Sequence, residues 1–273
     1  MAGLSLRLGH LYPSLMNIYG DRGNIICLER RCRQRGIDLT VTSLGLGEPL
    51  GAGDFDIIFM GGAQDREQRL VAADLANVKG PALRQAVDAG VVLLAVCGGY
   101  QLAGRFYRGE DGDELPGAGV FDLYTVHPGA KAKRLIGNVL ATWEGGDLVG
   151  FENHGGRTHL GPGAAPLARV LRGHGNDGLS SQEGARYKNA FGTYLHGPLL
   201  PANPALADKL ISLALARKYG GGDLAPLDDA LERSAHAAAS RAARRARGDL
   251  RLPTGWGLPI LIVSRWMRRD QPD

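Results

Sequence analysis

The chain has 273 residues, 44% hydrophobic, 22% charged and 6% aromatic, with a formal net charge of +4; these are ordinary values for a globular protein made of one large domain, or of a domain with an appendage. Its three cysteines, Cys27, Cys32 and Cys97, are too few and too irregularly spaced for a disulfide framework, which excludes the disulfide-rich secreted class and points to a reducing, cytoplasmic setting. No leader pattern opens the sequence, no apolar run approaches the ~20 residues of a membrane span, and the basic excess is confined to the tail, where residues 231–273 hold nine arginines against four acidic residues.

Leu4 to Leu11 alternates well enough to read as a first strand. YPSLMNIYGDRGN, Tyr12 to Asn24, follows as a turn-rich loop, then a helix over 25–35 closed by Gly36. A second strand is predicted over Asp38 to Leu44 and a buried third over Phe55 to Met60, ending in Gly61-Gly62. Residues 64–78 and 81–89 read as helical. Val91 to Val96 is an unbroken, β-branched apolar run, the mark of a strand buried on both faces, and it runs into Cys97, Gly98, Gly99 and a helical pattern. Strands alternating with helices argue for an α/β fold with a doubly wound, mostly parallel sheet, whose ligands sit at the carboxyl ends of the strands. The second half changes texture. Residues 119–126, 135–143, 148–152, 167–172 and 184–195 are short strand-like runs divided by Gly and Pro, expected to form an antiparallel extension of the same sheet. Asn203 to Tyr219 reads as an amphipathic helix capped by Asn203 and stopped by Gly220 to Gly222. Composition turns to Ala and Arg after Asp228, which divides the chain into a body, 1–227, and a basic C-terminal extension, 228–273.

The chemistry centres on Cys97. A cysteine at a sharp strand-to-helix turn, followed by two glycines, resembles the nucleophile elbow of α/β hydrolases with sulfur in place of oxygen. The Gly98 amide and the helix N-terminus both favour a thiolate and a developing oxyanion there. The competing reading is a small buried cysteine closing a core strand. A nucleophilic cysteine needs a base. His196, closing FGTYLHGP at a predicted strand end, is the best placed, against the alternative of a surface-loop histidine. His154, in GFENHGGRT, is the competitor; His10, His127, His159, His174 and His236 have no comparable setting. No spacing of His, Cys, Asp or Glu suggests a metal site, and none is assigned.

Together, Cys97-Gly98-Gly99-Tyr100-Gln101, Gly61-Gly62-Ala63-Gln64-Asp65 and Gly192-Thr193-Tyr194-Leu195-His196-Gly197 resemble class I glutamine amidotransferases of the cobyric-acid-synthase-like branch. Within that branch, residues 12–24, 149–158 and 187–198 resemble the glutaminase subunits of bacterial lipid II isoglutaminyl synthases. The resemblance covers roughly Leu4 to Tyr219. It implies the flavodoxin-like amidotransferase fold, with Cys97 attacking the side-chain amide of L-glutamine, the Gly62 and Gly98 amides as oxyanion hole, and His196 protonating ammonia and activating water. It also implies that Arg134 holds the glutamine carboxylate, a pairing that suits a guanidinium; the residue alone reads equally as a solvated strand-edge arginine. Tyr100 and Gln101 are candidate pocket residues or helix packing, and Asn153 and His154 contact substrate or shape the site. Many class I amidotransferases carry a glutamate two residues after the histidine; here that position is Pro198. The site is then a Cys-His dyad or takes an acid from elsewhere, and a ligase partner acting in trans is the expectation.

The implied partner is a Mur-ligase-like subunit, forming a heterodimer, that uses ATP and Mg to activate D-glutamate in lipid II and receives ammonia to give D-isoglutamine. This chain has no GxxxxGK[ST] run, so no cofactor is expected on it. Residues 228–247 read as an arginine-rich helix and Trp256 to Trp266 as an apolar stretch before Arg268-Arg269. They pack on the body or partner, or attach the protein to the anionic inner face of the membrane; nucleic-acid binding is disfavoured, since the arginines lack interleaved aromatics. Two rivals stand beside this reading: the same chemistry for another carboxylate such as a corrinoid precursor, and a non-catalytic scaffold of the same fold.

Overall fold

The two apolar runs of the first half lie side by side at the centre of the structure. This computed structural model describes residues 3–245. Its first half contains β1 (Ser5–Leu11), α1 (Arg22–Arg33), β2 (Asp38–Leu44), β3 (Ile57–Met60), α2 (Asp65–Asp74), α3 (Gly80–Asp88), β4 (Val92–Val96) and α4 (Gly98–Leu102). The second half adds β5 (Phe106–Arg108), β6 (Glu114–Pro116), β7 (Leu123–Val126), β8 (Leu135–Trp143), β9 (Gly146–His154), β10 (Arg157–Leu160), β11 (Ala168–Arg172), β12 (Gln182–Glu183), β13 (Ala185–Tyr187) and β14 (Ala190–Thr193). Three helices follow, α5 (Leu199–Ala202), α6 (Pro204–Tyr219) and α7 (Ala230–Arg245).

The main sheet has the order β13-β14-β4-β3-β1-β2 and is parallel except for β13. Every residue of β3 and β4 is buried, which is why their sequences lack the alternation of half-exposed strands. β2, at the edge, alternates between half-buried and exposed positions over its first five residues and ends on buried Leu44.

The other second-half strands depart from the expected extension. Only β13 adds an antiparallel strand to the main sheet. β14 joins that sheet in parallel, and β5 to β12 form two four-stranded sheets, β10-β7-β5-β6 and β12-β11-β8-β9. Their alternating burial, as in β7, gives each sheet one buried face and one wetter face, so they pack as separate layers. The run 184–195 folds back on itself at Lys188, whose φ is +51°, and becomes the β13–β14 hairpin. Asn203 does not cap α6 with its side chain. It is buried instead against β9 and α5, accepting from Val149 N (2.9 Å) and donating to Val149 O and Leu199 O (2.8 Å each).

The start of the basic extension is fastened to the body. Ala243 of α7 packs on Leu140 and Val149, and His236 Nδ1 lies 2.8 Å from the Ala202 carbonyl. Buried Arg31 reaches Asp208 and Asp229, each at 2.7 Å. Trp256 to Trp266 and Arg268-Arg269 lie outside the described residues. Among the described residues no helix is long and apolar enough to cross a membrane.

Candidate active site

Strand register decides which loops meet. Leu11 pairs with Met60, Met60 with Ala95 and Val96 with Thr193, so the segments leaving β1, β3, β4 and β14 emerge next to one another at the carboxyl edge of the sheet.

Cys97 sits at this edge, 7% exposed, with φ +50° and ψ −106°. That left-handed φ is unfavourable for a non-glycine residue and is held by the surrounding structure, including the Cys97 N to Thr193 O hydrogen bond of 2.8 Å. The strain of the turn is therefore carried by the cysteine, and the glycines serve close approach. A Cβ on Gly98 would stand 2.8 Å from the Ala63 nitrogen, and one on Gly99 2.7 Å from the carbonyls of Met60 and Gly61.

His196 is 2% exposed. Its backbone exchanges two hydrogen bonds with Phe151, 2.8 and 3.2 Å long, so β9 fixes the segment after β14. Burial works against protonation of the ring, but the negative charge of Cys97, followed by the hydrogen bond the ring donates to Asp21, outweighs it and pushes the pKa up to about 10. The ring is thereby held in its protonated form.

No acid stands at Pro198, but an acidic side chain of this chain lies beside the histidine. Asp21, fully buried in the loop after β1, places Oδ1 3.5 Å from His196 Nδ1. Asp21 is not among the residues that the sequence pattern marks for the site. Its signal was an acidic residue between Gly20 and Gly23 in a loop leaving the carboxyl end of a strand. Pro198 holds that loop close: a Cβ on Gly23 would stand 2.4 Å from the proline ring.

The two amides expected as oxyanion hole differ. Gly98 N–H donates to no described residue, whereas Gly62 N–H donates to Asp21 Oδ2 at 2.6 Å. Gly62 also packs under the histidine, where a Cβ would lie 2.9 Å from His196 Cε1.

Arg134 is brought to the same rim. Its Nε donates to Asn153 Oδ1 (2.9 Å) and its Nη2 to Asn153 O (3.1 Å). Asn153 Nδ2 donates to Tyr19 Oη at 2.7 Å, and the Tyr19 ring stands edge-on to His196 at 5.0 Å. The other candidates turn inward. Tyr100 is fully buried between Phe121 and Tyr194, with its hydroxyl 3.2 Å from Asn176 Oδ1. Gln101 accepts from Gln68 (2.8 Å) and donates to Tyr194 Oη (3.2 Å). His154, on the opposite face of β9 from Asn153, stacks flat on Tyr194 with ring centroids 3.5 Å apart.

Residues 7–204 match the CobB/CobQ-like glutamine amidotransferase domain family. The chain is 42% identical over 214 residues to the lipid II isoglutaminyl synthase (glutamine-hydrolyzing) subunit GatD of Staphylococcus aureus strain N315, spanning 78% of this chain and 86% of that one. It is 41% identical over 221 residues to the subunit GatD of Streptococcus pneumoniae strain R6, spanning 79% and 82%. A solved structure described as a glutamine amidotransferase superposes with a TM-score of 0.51 at 16% identity, over 76% of this chain and 98% of that chain, a likeness of fold.

Proposed function

The chain belongs to the CobB/CobQ-like glutamine amidotransferases, and from that premise we propose that it is the glutaminase subunit of a ligase that amidates D-glutamate to D-isoglutamine in lipid II. The observation that carries the chemistry is the strained Cys97 beside a buried His196 whose proton is held by negative charge on Cys97 and Asp21.

In the proposed cycle the Cys97 thiolate adds to the side-chain amide carbon of L-glutamine, and backbone amides take the oxyanion. Imidazolium His196 gives its proton to the departing nitrogen, ammonia leaves, and a γ-glutamyl thioester remains. Neutral His196 then takes a proton from water as the hydroxide adds to the thioester. Collapse expels the Cys97 thiolate, glutamate is released, and the imidazolium–thiolate pair is restored. Arg134 pairs with the glutamine α-carboxylate, which requires its guanidinium to loosen from Asn153.

The acceptor half of the proposal rests on similarity to the GatD subunits over most of both chains. Ammonia passes to a Mur-ligase-like partner, which uses ATP and Mg to activate the D-glutamate α-carboxylate. Residues 1–227 carry the chemistry. The extension 228–273 is assigned to contacts with the partner or with the inner face of the membrane, where the complex meets lipid II.

The test is ammonia release from glutamine by wild type and Cys97→Ala, with and without the ligase partner, together with mass analysis of lipid II. Cys97-dependent release, raised by the partner and accompanied by amidated lipid II, is the expected result. Cys97-dependent release without lipid II amidation would redirect the acceptor assignment, and a Cys97 inert to glutamine and to glutamine-mimicking electrophiles would leave a scaffold.

A further inference from the structure

An oxyanion formed by attack at Cys97 calls for two backbone donors, and one is already taken. The Gly62 amide donates to Asp21 Oδ2 at 2.6 Å, in a setting from which water is excluded. A hydrogen bond that short to a carboxylate is of the charge-assisted kind, and a low-dielectric surrounding strengthens it. The other oxygen, Oδ1, is 3.5 Å from His196 Nδ1, at the outer limit of a hydrogen bond. The carboxylate is thus committed to the amide and only loosely engaged with the imidazole.

We propose that Asp21 is a resting-state stopper of the oxyanion hole, occupying the Gly62 amide until the oxyanion of the substrate takes it, and then turning to His196 as its positioning residue. This rests on the glutaminase reading above. The exchange trades one negative acceptor for another on the same N–H, so no proton has to move. It also brings the carboxylate closer to the imidazolium when that cation has to be held in place.

The loop that carries Asp21 is built for such a change. Tyr12 (φ +52°) and Tyr19 (φ +56°) both hold left-handed backbone that bulky residues avoid. The loop is anchored at its start, where Tyr12 donates to Asp74 at 2.6 Å and Asp74 is paired with buried Lys79. Nearer Asp21 it is held by the Ile18 N to Gly62 O bond of 3.1 Å and by the Asn153 to Tyr19 bond of 2.7 Å. Asn153 is in turn gripped by Arg134. A carboxylate arriving at Arg134 competes for the guanidinium that holds Asn153, and Asn153 is what holds Tyr19. Capture of glutamine at the rim therefore slackens the loop whose carboxylate blocks the amide.

Two probes separate the roles of Asp21 in the isolated full chain. L-Glutamate γ-semialdehyde forms a thiohemiacetal with Cys97 and places an oxyanion in the hole. Iodoacetamide alkylates the thiolate and makes no oxyanion. Asp21→Ala empties the Gly62 amide, so the ratio of aldehyde affinity to alkylation rate is expected to rise by about tenfold or more over wild type, the scale of one oxyanion donor gained. Asp21→Asn keeps an oxygen for the Gly62 amide while losing the charge, so its alkylation slows and the ratio stays near that of wild type. A ratio in Asp21→Ala equal to or below wild type overturns the stopper and leaves a structural aspartate. Wild-type Cys97 that reacts with neither probe overturns the glutaminase reading itself, an outcome distinct from failure of the stopper alone.

Discussion

The surroundings of His196 and of His154 look alike at first sight and do opposite things. Each ring is 2% exposed. Each has a carboxylate within 4 Å, Asp21 at 3.5 Å and Glu152 at 3.8 Å. Yet the proton affinity of His196 is raised and that of His154 lowered. At His154 burial is the largest effect, and Glu152 offsets it incompletely, because its two oxygens already accept the amides of His174 (2.7 Å) and Gly175 (2.8 Å). The nearby Arg157 charge adds to the penalty. At His196 burial also opposes charge, but Cys97 supplies a second negative group beside Asp21. Burial beside a carboxylate is therefore compatible with inert packing; a second anion facing the ring is what makes an acid–base group.

The comparison breaks most visibly if the two residues are exchanged in their consequences. His196→Ala is expected to lower glutamate release by about 10³-fold or more, because proton donor and charge partner vanish together, with an unchanged circular dichroism spectrum as the control. His154→Ala is expected to leave turnover within a few-fold of wild type and to cost about 2–4 kcal/mol of stability, since it empties a fully packed stack on Tyr194. Urea midpoints measure that cost. The pH dependences run in opposite senses. His196, raised from 6.5 to about 10, contributes stability that is whole below pH 6.5 and is lost as pH climbs toward 10. His154, lowered from 6.5, resists protonation in the fold, so its contribution is lost as pH falls below 6.5. Midpoints that lose their acid sensitivity in His154→Ala would sharpen the contrast; an activity loss in His154→Ala as large as in His196→Ala would abolish it.

The legibility of this site in the sequence follows the same divide. Cys97 and His196 each follow an apolar strand run, so one-dimensional pattern was enough to put each at a strand end, and the parallel register of β4 and β14 is what puts both at one sheet edge. Asp21 belongs to a loop with no periodicity, and its partners, Gly62 and His196, lie at the ends of two other strands; only the register of β1, β3, β4 and β14 brings them together. Asn153 and His154 are adjacent in sequence and face opposite ways on β9, a distinction that pattern resolves only once the buried face of that strand is known. The parallel half was readable because burial on both faces leaves a strong signal. The second half was not, because short, half-exposed strands carry the same alternation whether they extend one sheet or build two others.

Glu183 provides the finest test, as a third buried ionisable group near the same histidine. Its Oε1 accepts from Thr193 Oγ1 (2.6 Å) and Tyr194 N (2.9 Å), while Oε2 has no partner among the described residues. Burial, with a contribution from the Glu152 charge, pushes its pKa up to about 7 against those hydrogen bonds. The sign is that of an acid that keeps its proton longer when folded: stability is greatest below pH 4.5, falls between 4.5 and 7, and levels above. Glu183→Gln cannot lose a proton and so lacks this fall, but its amide NH₂ stands where Oε2 has no partner, which makes it less stable than wild type at low pH. The stability gap between the two, read from urea midpoints, is expected to narrow by about 3 kcal/mol between pH 4.5 and 8. A constant gap would mean that Glu183 is ionised throughout and that the positive charge of His196 reaches it, which would make the carboxylate an extension of the catalytic pair instead of a neutral neighbour.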